Sequence, residues 1–227
     1  MPIGYILLIV VSLLIVFGVA HRMLDRMRLT DRQALLFVAA IFIGGLIPDI
    51  RIGRVLLNIG GALVPLALCV YLFAKAGTGK ERWRAIAASV FSGGAAFALG
   101  RFFPSEPGTM PFDINYIYGL AAGVIAYIFG RSRRSAFIGG VMGILLADTA
   151  QGIVNYYNGL NTPIVLGGAG ALDVVVVSGL LAVLLAEIIG EIRERMQGGS
   201  AKREAGLRFE DGEFVHAKEG PRDDDDE

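Results

Sequence analysis

The sequence predicts an all-α integral membrane protein: a polytopic bundle of about seven transmembrane helices, with the N-terminus outside and the C-terminus inside. Hydrophobic residues make up 54% of the 227 residues and charged residues only 19%, and the mean hydropathy is +0.60. Apolar runs recur along the chain, and about 20 helical residues cross a hydrocarbon core of about 30 Å. Basic residues gather in alternate loops, which sets the orientation.

Seven apolar runs account for the predicted helices. In chain order they are residues 3–20, 33–48, 54–74, 85–101, 115–130, 135–154 and 165–191. Because some runs are short and interrupted by glycine, the sequence is also consistent with a total of six or eight spans.

The loops give the orientation, since Lys and Arg in short loops stay on the cytoplasmic side. Basic clusters follow the first, third and fifth runs, at 22–32, 75–84 and 131–134, whereas the alternate loops carry few basic residues. No positive charge precedes the first run, so it does not have the pattern of a cleavable signal peptide. We expect a multipass protein of a prokaryotic plasma membrane, with the lipid bilayer as its main partner.

The chain after residue 195 has a different composition from the bundle. Residues 196–227 are polar and end in DDDDE, which predicts a disordered, charged cytosolic tail beyond a bundle of residues 1–195. Cys69 is the only cysteine, so an intramolecular disulfide is excluded. Nothing has the spacing of a zinc site. No metal, cofactor or nucleic-acid partner is expected, and the protein partner and homo-oligomerisation stay open.

Glycine pairs lie inside the apolar runs, for example Gly60-Gly61, Gly139-Gly140 and Gly167-Gly168. Small residues let helices approach closely in lipid, so a tightly packed bundle explains most of them. Paired glycines also unwind helices beside a cavity in transporters.

Asp148 is the first candidate for a functional residue, because ionisable groups at membrane depth are costly. It lies about 20 Å by helical rise beyond Ser135 at the cytosolic start of its run. Gln151 lies nearly one turn further on, on a similar face. Asp49 falls in or beside an outer loop, where solvent explains it.

Asp173 and Asn58 each have two interpretations. A helix starting near Val165 would hold Asp173 about 12 Å deep, level with Asp148, where two carboxylates can share a proton. A helix starting after Asp173 makes it an N-cap instead. Asn58 is either a hydrogen-bonding contact between helices or a residue of a broken helix facing a polar cavity.

Two segments resemble a family of bacterial and archaeal membrane proteins known as domain of unknown function 1614. An Asn-x-Gly-Gly-Ala-x-x-Pro segment corresponds to Asn58, Gly60, Gly61, Ala62 and Pro65. A Gly-Gly-Ala-Gly-x-x-Asp segment corresponds to Gly167, Gly168, Ala169, Gly170 and Asp173. The resemblance implies the membrane architecture and no activity.

A weaker likeness is to the Gly-x-Gly-Asp intramembrane aspartyl proteases, which place two aspartates on different helices. Asp148 and Asp173 would be the catalytic pair. The chain departs from that pattern, because Ala171 and Leu172 separate Gly170 from Asp173 and no Pro-Ala-Leu follows the last run.

Three functions follow. The first is binding or transport of a small solute or cation at a polar site in the outer half, lined by Asn58, Asp148, Gln151 and Asp173. The second is an intramembrane aspartyl hydrolase that uses Asp148 and Asp173 as an acid–base pair. The third is a structural or accessory membrane protein whose buried polar residues fix helix packing.

Overall fold

The structure, a computed structural model, describes residues 9, 13, 27–102, 114–168, 173–196, 207–210 and 213–216. The predicted first span, 3–20, lies outside these residues apart from two isolated positions. The chain divides into two compact units, Met1–Glu187 and Ile188–Glu227. The described α-helices are α1 (Asp31–Gly44), α2 (Val64–Ala74), α3 (Gly79–Phe102), α4 (Ile114–Gly130), α5 (Arg133–Tyr157) and α6 (Val174–Met196).

Two helices of the described chain, α3 and α5, are long and apolar enough to cross a membrane. Among the described residues, shorter apolar helices lie at Ile59–Ala74, Ile117–Gly130 and Val174–Gly190. Helix α1 has 14 residues, about 21 Å, and ends at a glycine pair. In the run 54–74, a strand at Val55–Leu57 is followed by a π-helical turn, Ile59–Leu63, which contains Gly60-Gly61 and leads into α2. In the run 165–191, a strand ends at Leu166, directly before Gly167-Gly168, and α6 begins at Val174. Glycine and β-branched residues favour such interruptions over a continuous helix.

A small sheet interrupts this mostly helical fold, where the sequence predicted helices alone. Strands β1 (Ile50–Ile52) and β2 (Val55–Leu57) form an antiparallel hairpin, and β3 (Ile164–Leu166) pairs parallel to β2. Gly53, in the hairpin turn, has a φ of +61°, which glycine adopts at little cost. The sheet lies where α5 ends, and we call this part of the first unit the sheet end.

Small residues bring α3 and α5 together. A Cβ on Gly139 would lie 2.6 Å from the Cβ of Ala88, and a Cβ on Gly143 would lie 1.8 Å from the Oγ of Ser92. The Ser92 hydroxyl also donates to the carbonyl of Gly139 at 2.6 Å. The prediction that glycines serve close helix packing is therefore confirmed for this pair.

The opposite end of α5 carries basic loops, and we call it the basic end (residues 75–84 and 131–134). Arg134 pairs with Glu81 at 3.1 Å and donates a hydrogen bond to the carbonyl of Lys75. Ser132 also donates to Glu81. These contacts join the two loops. The 25 residues of α5 put the sheet end about 37 Å away.

In the second unit, two short strands follow α6: β4 (Leu207–Glu210) and β5 (Glu213–His216), paired antiparallel. The sequence predicted disorder throughout this tail. Alternation of apolar and charged residues around Asp211-Gly212 is typical of a hairpin. The acidic run 223–227 lies outside the described residues.

Candidate functional site

Asn58 lies directly after β2 and is 4% exposed. Its Oδ1 accepts a hydrogen bond from the backbone N–H of Gly61 at 2.8 Å, and its Nδ2 donates to the Oδ1 of Asp49 at 2.8 Å. The following residues, Ile59–Leu63, form a π-helical turn that continues into α2. Asn58 thus caps a helix that begins in an irregular turn, and both groups of its amide are used.

The two glycine-rich segments meet at this turn. Gly167 follows β3 with a φ of +69°, and a Cβ there would lie 2.4 Å from the backbone N of Ala62. On the other side, a Cβ on Gly60 would lie 2.2 Å from the carbonyl oxygen of Ile41. Only glycine permits these approaches. The parallel pairing of β2 with β3 explains the convergence, because each strand leads into one segment.

Asp173 occupies the N-cap of α6, which begins at Val174. Its Oδ1 accepts from the N–H of Val175 at 2.9 Å, and its carbonyl accepts from the N–H of Val177. The sequence left open whether Asp173 lies inside a helix or caps one, and in the structure it is an N-cap. Asp173 is half-buried and takes part in a further interaction.

Asp148 is half-buried on α5, in the half of the helix nearer the sheet end. Its carboxylate interacts electrostatically with that of Asp173. The two aspartates that the sequence singled out are therefore within electrostatic range of each other, one in a helix interior and one at a helix start.

Gln151 bonds along its own helix, since its Nε2 donates to the Oδ1 of Asn155 at 2.8 Å. Asn155 in turn donates to the hydroxyl of Thr162 at 3.4 Å. The side-chain hydrogen bonds described for Asn58 are to Asp49 and Gly61, and the one described for Gln151 is to Asn155. The predicted site thus consists of a carboxylate pair and two separate amide contacts.

This arrangement limits the chemistry. Two carboxylates that interact electrostatically favour binding of a proton or a cation, because two negative charges repel each other. The described residues contain no group of three or more His, Cys, Asp or Glu side chains that could hold a metal ion. A metal ion at these carboxylates would therefore need backbone, amide or water oxygens as further ligands.

The sequence analysis gave Asp49 no role beyond a solvent-exposed position in or beside an outer loop. It is exposed, as expected, but it also fixes Asn58. The signal was available: an asparagine inside an apolar run needs a partner for its amide group, and Asp49 was the nearest polar side chain before it that is not basic.

The fold and the site define a helical protein with two helices apolar enough to span a membrane and with paired glycine-rich segments at one end. The chain belongs to the family described as "protein of unknown function (DUF1614)", whose model matches residues 15–185. That range includes both glycine-rich segments and both aspartates. Neither the curated proteins nor the solved structures gave a match.

Proposed function

We propose that this chain is a multipass plasma-membrane protein of a prokaryote that binds or transports a small solute or cation at a polar site near its sheet end. The bundle of residues 1–195 would have about seven spans, N-outside and C-inside. Support comes from the two apolar helices and from the basic loops that gather at one end of α5. Basic loops of this kind remain on the cytoplasmic side.

The observation that carries the proposal is the electrostatic interaction between the half-buried carboxylates of Asp148 and Asp173. Two carboxylates that repel each other cost free energy, and a cation between them offsets that cost. The half-buried setting of both side chains reduces screening by water. A small cation is therefore the ligand class that the pair favours.

The broken helix that follows Asn58 supports transport over simple packing. The segment from Ile59 to Ala74 starts with a π-helical turn and forms a shorter apolar helix. Irregular backbone at membrane depth is tolerated where it is buried in protein or lines a cavity. Secondary transporters use such discontinuous helices for their ion and substrate sites.

The test is uptake of Na⁺, K⁺ and protons, each measured separately, by the full chain in proteoliposomes. Asp148→Asn removes one charge of the pair and is expected to lower uptake of the transported cation at least tenfold. The matched control is Asp49→Asn, which neutralises an exposed carboxylate and keeps an oxygen that can accept from Asn58. Equal uptake by the wild type and Asp148→Asn, or none above empty liposomes, contradicts transport of these ions.

The same pair favours one alternative, an intramembrane aspartyl hydrolase. That reaction needs both carboxylates, one to activate water and one to protonate the leaving group. It predicts cleavage of a transmembrane peptide that is lost in both Asp148→Asn and Asp173→Asn. Cleavage that survives either substitution excludes it.

A structural or accessory role is the remaining alternative. In that case Asp148→Asn and Asp173→Asn change only stability, with neither uptake nor cleavage affected.

A further inference from the structure

A cleft of about 700 Å³ opens at the sheet end. Arg54 and Thr162 contribute polar groups to its lining, and Ile153, Tyr156 and Tyr157 contribute the last turns of α5. The two tyrosines are 61% and 83% exposed, and such rings are typical of a membrane–water interface.

Arg54 is held in place by its surroundings. Its carbonyl accepts from the N–H of Ile164 at 2.9 Å, and its side chain donates to the Oδ1 of Asn161. The guanidinium lies over the ring of Tyr156, 4.7 Å from the centroid. Within the described chain no carboxylate forms an ion pair with it. The cleft therefore contains a positioned positive charge with donors to spare.

An apolar groove of about 330 Å³ lies further along the same helix, among α2, α3 and α5. Phe73, Val90, Met142 and Leu146 line it. Met142 and Leu146 share a face of α5 with Ile153, at spacings of four and seven residues. The helical rise from Met142 to Ile153 is about 17 Å. A polar cleft and an apolar groove thus follow one stripe of α5.

We propose that this stripe binds an anionic phospholipid, with its phosphate at Arg54 and one acyl chain running past Leu146 into the groove. Arginine presents a planar set of donors that matches phosphate oxygens. A free phosphate ion would use only the cleft, whereas the aligned apolar groove fits a hydrocarbon chain. This inference does not depend on the proposed cation site, because neither Asp148 nor Asp173 lines the cleft or the groove.

Native mass spectrometry of the full chain in detergent tests the proposal. The probes are palmitoyl-oleoyl phosphatidylglycerol, phosphatidylcholine with the same chains, and glycerol 3-phosphate without chains. Arg54→Gln is expected to weaken phosphatidylglycerol binding about tenfold and to remove the preference over phosphatidylcholine. Arg51→Gln is the matched control, because Arg51 is exposed on the neighbouring strand and does not line the cleft.

Equal weakening by Arg54→Gln and Arg51→Gln, or no weakening by either, overturns the headgroup site. Competition by glycerol 3-phosphate as strong as that by the lipid overturns the choice of a lipid. If Arg54→Gln proves unfolded, Arg54→Lys replaces it and is expected to retain part of the preference. Leu146→Gln is expected to weaken binding of both lipids while the preference stays, and unchanged binding excludes the groove as the acyl-chain site.

Discussion

At the scale of single residues, the side chain of Asn58 joins two segments. Its amide connects the loop before β1, through Asp49, to the start of the helix through Gly61. Asn58→Ala leaves a buried N–H without its acceptor, which costs about 1–3 kcal/mol. Thermal unfolding in detergent is expected to show a lower Tm. Asn155→Ala is the comparison, because Asn155 is only half-buried, and an equal loss in both variants contradicts the role given to Asn58.

Asp173 caps α6 and also carries a charge that interacts with Asp148. Two substitutions distinguish these effects. Asp173→Asn keeps an oxygen for the N–H of Val175 and removes the repulsion with Asp148. We expect its free energy of unfolding to stay at or above that of the wild type. Asp173→Ala removes the cap as well and should be less stable than Asp173→Asn by about 0.5–2 kcal/mol. Equal stabilities, measured by chemical denaturation in mixed micelles, contradict the capping role.

At the scale of elements, the close contact of α3 with α5 depends on glycine, which has no side chain. Gly143→Ala places a Cβ 1.8 Å from the Oγ of Ser92 and 3.0 Å from the N of Gly93. The helices must then separate, at a cost of about 1–3 kcal/mol.

Gly94→Ala is the matched control on α3, because nothing lies within 4 Å of its added Cβ. It should be neutral or stabilising by up to about 1 kcal/mol, since alanine favours helix. Both variants are compared by thermal unfolding. A stable Gly143→Ala variant contradicts the close packing that the structure gives.

The sequence predicted best those elements that depend only on the composition of their own segment. Long uncharged runs predicted α3 and α5, and small residues predicted their packing. The sheet was missed because Val55–Leu57 and Ile164–Leu166 are apolar in any conformation, and their pairing joins segments far apart in sequence. The same pairing brings the two glycine-rich segments together, which no local pattern could indicate.

The candidate site also contains features that the sequence predicted and features that it did not. Membrane depth alone singled out Asp148, and the glycine-rich turn before Asp173 indicated the cap as one of two positions. The proximity of these carboxylates depends on how α5 packs against the start of α6, so the sequence offered it only as a hypothesis. The Asn58–Asp49 bond depends on a turn between two strands that the sequence did not predict.

At the scale of the whole molecule, the proposed orientation puts the basic end in the cytoplasm and the sheet end outside. In a Cys69→Ala background, Leu160→Cys and Lys80→Cys each introduce one exposed thiol, at the sheet end and the basic end. A membrane-impermeant maleimide added to intact cells should label the Leu160→Cys variant alone. Both should react after lysis, and the reverse pattern in intact cells contradicts the orientation.

The most direct test of the central claim is carbodiimide labelling of Asp148 in the reconstituted full chain, quantified by mass spectrometry with and without Na⁺, K⁺ or Mg²⁺. Asp49, which is exposed, serves as the internal reference. A cation held by the pair should protect Asp148 and leave Asp49 unchanged, and Asp173→Asn should remove the protection. Labelling of Asp148 that no cation changes would contradict a cation site at Asp148 and Asp173.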